Sequence, residues 1–145
     1  MAIKNGKVIT TIPVTDIKRA KDFYGNRLGL KEVGRVTPGG THNEVIYKVG
    51  ENNHVCLYER PEPSGSSATC CSFEVENVEQ TVKQLQDNGV KFEEYDMPEM
   101  GIKTKNGVAS MEDFKVGWFK DPDGNILAVG NSLSLIEKGE VALKH

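Results

Sequence analysis

The pattern of apolar and polar positions repeats after about sixty residues, so the sequence consists of two similar halves. In the first half, an apolar stretch ending at Val14 is followed by Asp16 and a helical pattern. In the second, a similar stretch ending at Val75 is followed by Asn77. Asp and Asn at the start of a helical pattern accept hydrogen bonds from the unpaired amides of the first turn. Each half therefore predicts a strand that runs into a capped helix.

Both predicted helices carry one apolar stripe and end at a glycine. The stripe residues recur at three- and four-residue steps, which is typical of one buried helix face. They are Ile17, Ala20, Tyr24 and Leu28 in the first half and Val78, Val82 and Leu85 in the second. Gly29 and Gly89 follow, and glycine is the preferred residue just after a helix. We predict the first helix over residues 17–28.

Short apolar runs separated by turn residues predict several strands after each helix. They cover residues 30–36, 44–49 and 54–59 in the first half and 90–94, 114–120 and 125–129 in the second, with a further strand near 102–108. The single domain over residues 1–145 therefore divides into a first module at about 7–60, a Pro- and Ser-rich linker at 61–67 and a second module at about 68–131. Residues 132–145 form a C-terminal tail with a weak helical pattern.

Composition and charge exclude several classes of protein. The 145 residues carry a net charge of −3, which disfavours a protein that binds nucleic acid through phosphate contacts. No apolar run approaches the roughly 18 residues of a membrane span, and Met1–Gly6 lacks the apolar core of a secretory signal. The three cysteines are an odd number and include an adjacent pair, which favours free thiols over a disulfide framework. We therefore expect a cytoplasmic protein with no nucleic-acid or membrane partner.

Three stretches of the sequence resemble the vicinal oxygen chelate superfamily, which includes glyoxalase I, bleomycin resistance proteins and extradiol dioxygenases. They are IPVTDIKRAKDFY at 12–24, Leu28-Gly29-Leu30, and FKDPDGN at 119–125. The resemblance covers roughly residues 7–131. It implies an α+β fold in which two βαβββ modules form an open, cup-like mixed sheet with helices outside. It also implies a homodimer, since members of this superfamily commonly dimerise.

Metal-dependent members of this superfamily place His, Glu or Gln at four strand positions that face the cup. Counting from the motifs, the matching positions are Ile9, Cys56, Cys70 and Ala128. Ile9 and Ala128 have no side-chain donor atom, so the usual metal site is predicted to be absent and no cofactor is predicted. The alternative is a divalent metal ion at a displaced site formed by Cys56, Cys70 and His54.

Strand alternation selects the candidate ligand-binding residues. His54, Cys56 and Tyr58 share one face of a strand and would face the cup. Trp118, the only tryptophan, should lie on the opposite face from Phe119. Tyr47 and Phe114 are added for their aromatic rings, which suit a flat or apolar ligand. The full set of ligand-binding candidates is Tyr47, His54, Cys56, Tyr58, Cys70, Ser72, Phe114 and Trp118. His54 is the candidate for acid or base catalysis, because imidazole transfers protons near neutral pH.

These observations favour a metal-free protein that binds a small organic molecule in the cup, in the manner of the bleomycin resistance branch. The alternative is a metal-dependent lyase or dioxygenase of the glyoxalase type with a displaced metal site. A third possibility is a module that binds a partner protein and has a filled cup. The sequence does not decide whether the chain catalyses a reaction.

Overall fold

The computed structural model describes residues 3–36 and 43–139, which form two compact units. The first unit comprises Met1–Ser66 together with Pro122–Asn125, and the second comprises Ser67–Asp121 together with Ile126–His145. Both units combine helices with a sheet that contains parallel and antiparallel strand pairs, which confirms the predicted α+β fold class. Among the described residues the two modules have separate sheets, rather than sharing one as the resemblance implied.

The first unit follows the predicted strand–helix–strand order closely. Its elements are β1 (Thr10–Val14), α1 (Ile17–Lys21), a π-helix (Asp22–Arg27), β2 (Lys31–Val36), β3 (Glu44–Val49) and β4 (Asn53–Glu59). The sheet order is β1-β4-β3-β2, with β1 parallel to β4 and the other pairs antiparallel. As predicted, Asp16 caps α1, where its carboxylate accepts hydrogen bonds from the amides of Lys18 and Arg19 at 3.1 Å.

The first helix differs from the prediction of one regular α-helix over residues 17–28. After Lys21 it widens into the π-helix, in which the amide of Leu28 donates to the carbonyl of Phe23 at 2.9 Å. That bond spans five residues instead of four. The helix still ends as predicted, with Gly29 in the left-handed region at φ 77°.

One face of the first sheet packs against this helix and forms the core of the unit. Ile12, Val45, Tyr47 and Leu57 lie on this face and are at most 2% exposed, and the Tyr47 ring lies 6.5 Å from that of Tyr24. Because successive strand residues point to opposite faces, the residues between them define the opposite side, here called the first far face.

The second unit contains a longer sheet than the first. Its elements are β5 (Thr69–Glu74), α2 (Val78–Asp87), β6 (Asp96–Met97), a 3₁₀ helix (Pro98–Met100), β7 (Ile102–Lys105), β8 (Val108–Met111), β9 (Phe114–Lys120), β10 (Ile126–Gly130) and α3 (Ser132–Glu137). The sheet order is β5-β10-β9-β8-β7-β6, with β5 parallel to β10. Asn77 caps α2 as predicted, accepting from the amide of Gln80 at 3.0 Å.

One strand prediction in this unit is wrong and another is correct only in part. Residues 90–94 form no strand and contribute only one bridge, between Phe92 and Phe119. The strand predicted near 102–108 is present as β7, but it ends at Lys105, where the chain turns back into β8 and forms a hairpin. Asn106 and Gly107 form its turn with φ of 54° and 83°, the two positive values that a two-residue type I′ turn requires.

The tail has one described helix, α3, and residues 140–145 lie outside the described part of the chain. The Glu74 carboxylate on β5 accepts from the hydroxyl of Ser132 at 3.0 Å and from the amide of Leu133 at 3.3 Å. A carboxylate at the first turn of a helix satisfies unpaired amides there, so Glu74 fixes the start of α3 to the sheet. No helix in the described residues is long and apolar enough to cross a membrane.

Candidate ligand-binding site

The first far face carries three of the predicted residues together. His54, Cys56 and Tyr58 alternate with the buried Val55 and Leu57 along β4, so they share this face as the strand pattern predicts. The Cys56 thiol donates a hydrogen bond to the Glu44 carboxylate on β3 at 3.5 Å. Burial and this carboxylate raise the pKa of Cys56 to about 11, so its sulfur is a protonated thiol at neutral pH.

Tyr47 does not lie with these residues, contrary to our expectation. Its side chain is on the helix-covered face of β3, where it is 1% exposed. Glu44, Ile46 and Lys48 occupy the alternate positions of β3 and lie on the first far face instead. Tyr47 was placed with the other aromatic residues on chemistry alone, without the strand register that decides its face.

The second sheet brings three other predicted positions into one row. Ala128 on β10 pairs with Ser72 on β5 and with Trp118 on β9, and directly paired residues share a face. The alternating residue Phe119 is 0% exposed, and its ring packs against that of Phe92 at a centroid distance of 5.2 Å. Phe119 therefore belongs to the helix-covered side, and the row Ser72–Ala128–Trp118 defines what we call the second far face.

A cavity of about 210 Å³ opens on the second far face. It is lined by residues of β5, β8, β9, β10 and the start of α3: Ser72, Glu74, Met111, Phe114, Lys115, Val116, Ala128, Gly130, Asn131 and Ser132. Three of these, Ser72, Phe114 and Ala128, are positions that the sequence singled out. A dry cavity of about 150 Å³ holds a benzene molecule, so this volume suits a compound built on one ring.

Of the two charged side chains that line this cavity, only Lys115 has a partner of opposite charge among the described residues. The Lys115 ammonium forms an ion pair with Glu79 on α2. Glu74 has only neutral hydrogen-bond donors, Ser132 and Leu133, and no cationic partner within residues 3–36 and 43–139. Each carboxylate oxygen can accept a further hydrogen bond. The cavity therefore combines an apolar wall with one acceptor group of negative charge.

Trp118 lies beside the cavity rather than in its wall. Its ring packs edge-on against Tyr95 with the centroids 5.4 Å apart, and its strand partner is Ala128. Hydrogen bonds fix the segment that carries Tyr95. The Tyr95 amide donates to the Thr104 hydroxyl at 2.7 Å, and that hydroxyl donates to Glu94 at 2.9 Å. Trp118 is thus a rigidly held neighbour of the cavity.

The four residues predicted to occupy the superfamily's metal-ligand positions do not have the chemistry of a divalent metal site. Ile9 and Ala128 offer only hydrocarbon, and Ile9 is 43% exposed ahead of β1. Burial raises the pKa of Cys70, as it does for Cys56, and a thiol must lose its proton to ligate a metal. In the described part of the chain, no three His, Cys, Asp or Glu side chains lie close enough to hold a metal ion.

Several residues that line this cavity could not be predicted from the sequence. The contacts of Glu74 with α3 depend on how the tail folds. Gly130, Asn131 and Ser132 follow the last strand, where no motif marks them. The side-chain amide of Asn131 accepts from the backbone amide of Lys115 at 2.9 Å and donates to the Asp113 carbonyl at 3.2 Å. These two bonds join the start of β9 to the end of β10.

A family model described as the glyoxalase/bleomycin resistance protein/dioxygenase superfamily matches residues 8–129. No curated protein matches the sequence. Solved structures share the fold at low identity. A glyoxalase family protein from Enterococcus faecalis is 20% identical, with a TM-score of 0.65 over 90% of this chain and 100% of its own.

Two further structures are of proteins with named activities. The trypanothione-dependent glyoxalase I of Leishmania major is 21% identical, with a TM-score of 0.65 over 94% of both chains. The fosfomycin resistance protein FosX of Listeria monocytogenes, solved with Mn(II) and sulfate, is 13% identical. Its TM-score is 0.60 over 90% of this chain and 94% of its own. At these identities the likeness extends to the fold alone.

Proposed function

The chain belongs to the glyoxalase/bleomycin resistance protein/dioxygenase superfamily, and from that premise we propose that it binds a small organic molecule in the cavity of the second far face. The observation that carries the proposal is the cavity itself. Its wall contains Ala128, a methyl group where the resemblance implies a metal ligand, and beside it lie the ring of Phe114 and the chain of Val116. Apolar walls with a few polar groups are typical of small-molecule sites.

The charges favour a ligand that donates a hydrogen bond, and most of all a small amine. Lys115 is neutralised by Glu79, whereas Glu74 faces the cavity without a cation. An ammonium group on a single-ring compound would supply that missing charge while its ring packs against Phe114 and Met111. We therefore propose aromatic or short aliphatic amines as the ligand class.

Trp118 gives the direct assay, because the chain contains no other tryptophan. We expect benzylamine to change its fluorescence saturably, benzyl alcohol to do so more weakly and toluene most weakly. Glu74→Gln should weaken benzylamine binding about threefold to fivefold and leave benzyl alcohol binding unchanged, since Glu74 is exposed and an exposed ion pair contributes up to about 1 kcal/mol. Glu99→Gln, which removes an exposed carboxylate outside the cavity, is the matched control.

Filling the cavity provides an independent test of its location. Ala128→Leu adds three carbon atoms to the wall and should weaken all three probes by at least about tenfold. Circular dichroism and the urea midpoint establish that the variant folds. If a folded Ala128→Leu protein bound benzylamine as well as the parent, the ligand would lie elsewhere and the proposal would be refuted.

The alternative function is a metal-dependent lyase or dioxygenase of the glyoxalase type. Its candidate donor groups lie on the first far face, where the Cys56 thiol lies 3.5 Å from the Glu44 carboxylate and His54 shares the face. Metal analysis of protein purified without an affinity tag distinguishes the two functions. One divalent ion per chain that is lost in Cys56→Ala or Cys70→Ala would support this alternative and contradict the metal-free proposal.

We also propose that the protein is a cytoplasmic homodimer. Val33 and Val36 on the edge strand β2, with Val8 and Ile9 before β1, are 43% to 90% exposed, and exposed apolar groups on an edge favour association. All three cysteines are free thiols, which suits a reducing compartment. Light scattering coupled to gel filtration should give twice the chain mass, and Val33→Lys with Val36→Lys should halve it.

A further inference from the structure

A second cavity lies in the first unit, on the helix-covered side of its sheet. It has a volume of about 460 Å³, within the range of small-molecule sites. It is lined by residues of the first helix and of the β2–β3 pair, among them Lys18, Lys21, Asp22, Gly25, Glu32 and Tyr47. It shares no lining residue with the cavity of the second far face.

The hydroxyl of Tyr47 in this cavity has no hydrogen-bond partner in the described part of the chain. The residue is 1% exposed, and its ring packs near that of Tyr24. Every fully buried side-chain nitrogen or oxygen among the described residues has a partner. The Tyr47 oxygen therefore keeps its access to the cavity. A hydroxyl that reaches a cavity and has no partner in the protein is free to donate to a molecule bound there.

The π-helix leaves room over this oxygen. Gly25 lies within it and lines the same cavity, and a Cβ atom added there would stand 3.5 Å from the Tyr47 oxygen. Glycine at this position thus keeps the space above the hydroxyl open. π-helical turns are rare and occur frequently at functional sites.

Both carboxylates that line the cavity are paired with cations other than Lys18. Glu32 forms ion pairs with Lys21 at 3.3 Å and with Arg35 at 2.8 Å, and Asp22 forms one with Arg27 at 3.7 Å. Lys18 lines the cavity without a carboxylate partner anywhere in residues 3–36 and 43–139. Burial and the negative charge of Glu32 raise the pKa of Tyr47, so its hydroxyl remains a neutral donor.

We infer that this cavity is a second binding site, specific for a small organic carboxylate. The Tyr47 hydroxyl donates a hydrogen bond to the bound molecule, and the Lys18 ammonium supplies the opposite charge. The ligand class differs from that of the second far face, where the uncompensated charge is the carboxylate of Glu74.

The test uses the full chain labelled with 3-fluorotyrosine and titrated with benzoate, with benzamide as the neutral probe of the same shape. The Tyr47 resonance, assigned by its absence in Tyr47→Phe, should shift saturably with benzoate and more weakly with benzamide. Tyr47→Phe should weaken benzoate about fivefold to tenfold, followed through the neighbouring Tyr24 resonance, because it removes one hydrogen bond. Lys18→Gln should weaken benzoate about threefold and leave benzamide unchanged.

Controls separate this site from the other surfaces. Lys48→Gln removes a lysine from the opposite face of β3 and should leave benzoate binding unchanged. Ala128→Leu, which fills the other cavity, should also leave it unchanged. Gly25→Ala places a methyl group over the hydroxyl and should weaken binding while the fold is kept.

Three results would overturn the inference. The Tyr47 resonance could stay fixed up to about 50 mM benzoate, a concentration that even a weak millimolar site would fill. Benzoate could bind Tyr47→Phe as tightly as the parent. Lys48→Gln could reduce its affinity more than Lys18→Gln does.

Discussion

The turn at residues 121–125 leads to our most specific stability prediction. The Asp123 side chain is 3% exposed and binds the segment between β1 and α1. It accepts hydrogen bonds from the amide of Thr15 at 3.1 Å, from the Thr15 hydroxyl, and from the Arg19 guanidinium at 3.0 Å. Next to it, the side-chain amide of Asn125 donates to the Pro13 carbonyl at 2.8 Å. Replacing Asp123 removes the acceptor of three donors at once.

The expected loss of stability depends on whether each donor can bind water instead of Asp123. Arg19 is 49% exposed and exchanges its partner for water at little cost. The Thr15 amide and hydroxyl are partly buried and lose a charged acceptor, which costs about 1.5–3 kcal/mol. We therefore expect Asp123→Ala to lower the free energy of unfolding by about 2–3 kcal/mol, Asp123→Asn by about 1 kcal/mol and Arg19→Gln by less than about 1 kcal/mol.

Urea denaturation followed by Trp118 fluorescence and circular dichroism measures these differences. With an m-value of about 2 kcal/mol/M, Asp123→Ala should lower the midpoint by about 1–1.5 M. Asp96→Ala, which removes an exposed carboxylate, should change stability by less than about 0.5 kcal/mol. If Asp123→Ala stayed within that same margin, water would be satisfying the Thr15 donors and the reasoning would fail.

Three further predictions concern the thiols and one glycine. At pH 7 the exposed Cys70 should react with a maleimide first. Cys56 and Cys71 should react about a hundredfold more slowly than a thiol of ordinary pKa, because burial raises the pKa of both to about 11. Peptide mass spectrometry checks the order of labelling. As the pH rises, the thiols of Cys56 and Cys71 lose their protons in the unfolded chain before they do in the folded chain. The urea midpoint should therefore be constant below about pH 9 and fall as the pH rises towards 11, less steeply in Cys56→Ala. Gly107→Ala should lower the free energy of unfolding by about 2–3 kcal/mol, since φ is +83° and the new Cβ would lie 2.8 Å from Phe92. Gly101→Ala, at φ +69° with open space around it, should lower it by about 1 kcal/mol in the same urea experiment.

The features predicted correctly from the sequence are those that depend on neighbours in the chain. The caps Asp16 and Asn77 accept amides two or three residues away, so their type and position were enough to predict them. Strand alternation likewise placed His54 and Cys56 on one face. The π-helix could not be predicted, because one wide turn shifts an apolar stripe by a single residue within a pattern too short to reveal the shift.

The missed features depend on contacts between distant segments. Residues 90–94 have a strand composition, but this stretch contributes only a single bridge, Phe92 to Phe119. The Asn106–Gly107 pair was a readable hairpin signal within a segment that we expected to form one strand. Asp123 lies in the FKDPDGN stretch, and its role in binding Thr15, more than a hundred residues away, has no local signature.

The two proposed sites differ in how they relate to the core of their sheets. Along β10, Leu127 and Val129 are at most 1% exposed on the helix-covered side, while Ala128 faces the cavity. A change at position 128 therefore alters the chemistry of the cavity without removing a core residue of that side. Tyr47 is the opposite case, a core ring whose outermost atom reaches a cavity. Its ring is needed by the fold and its hydroxyl is not, so Tyr47→Phe should keep full stability while weakening carboxylate binding.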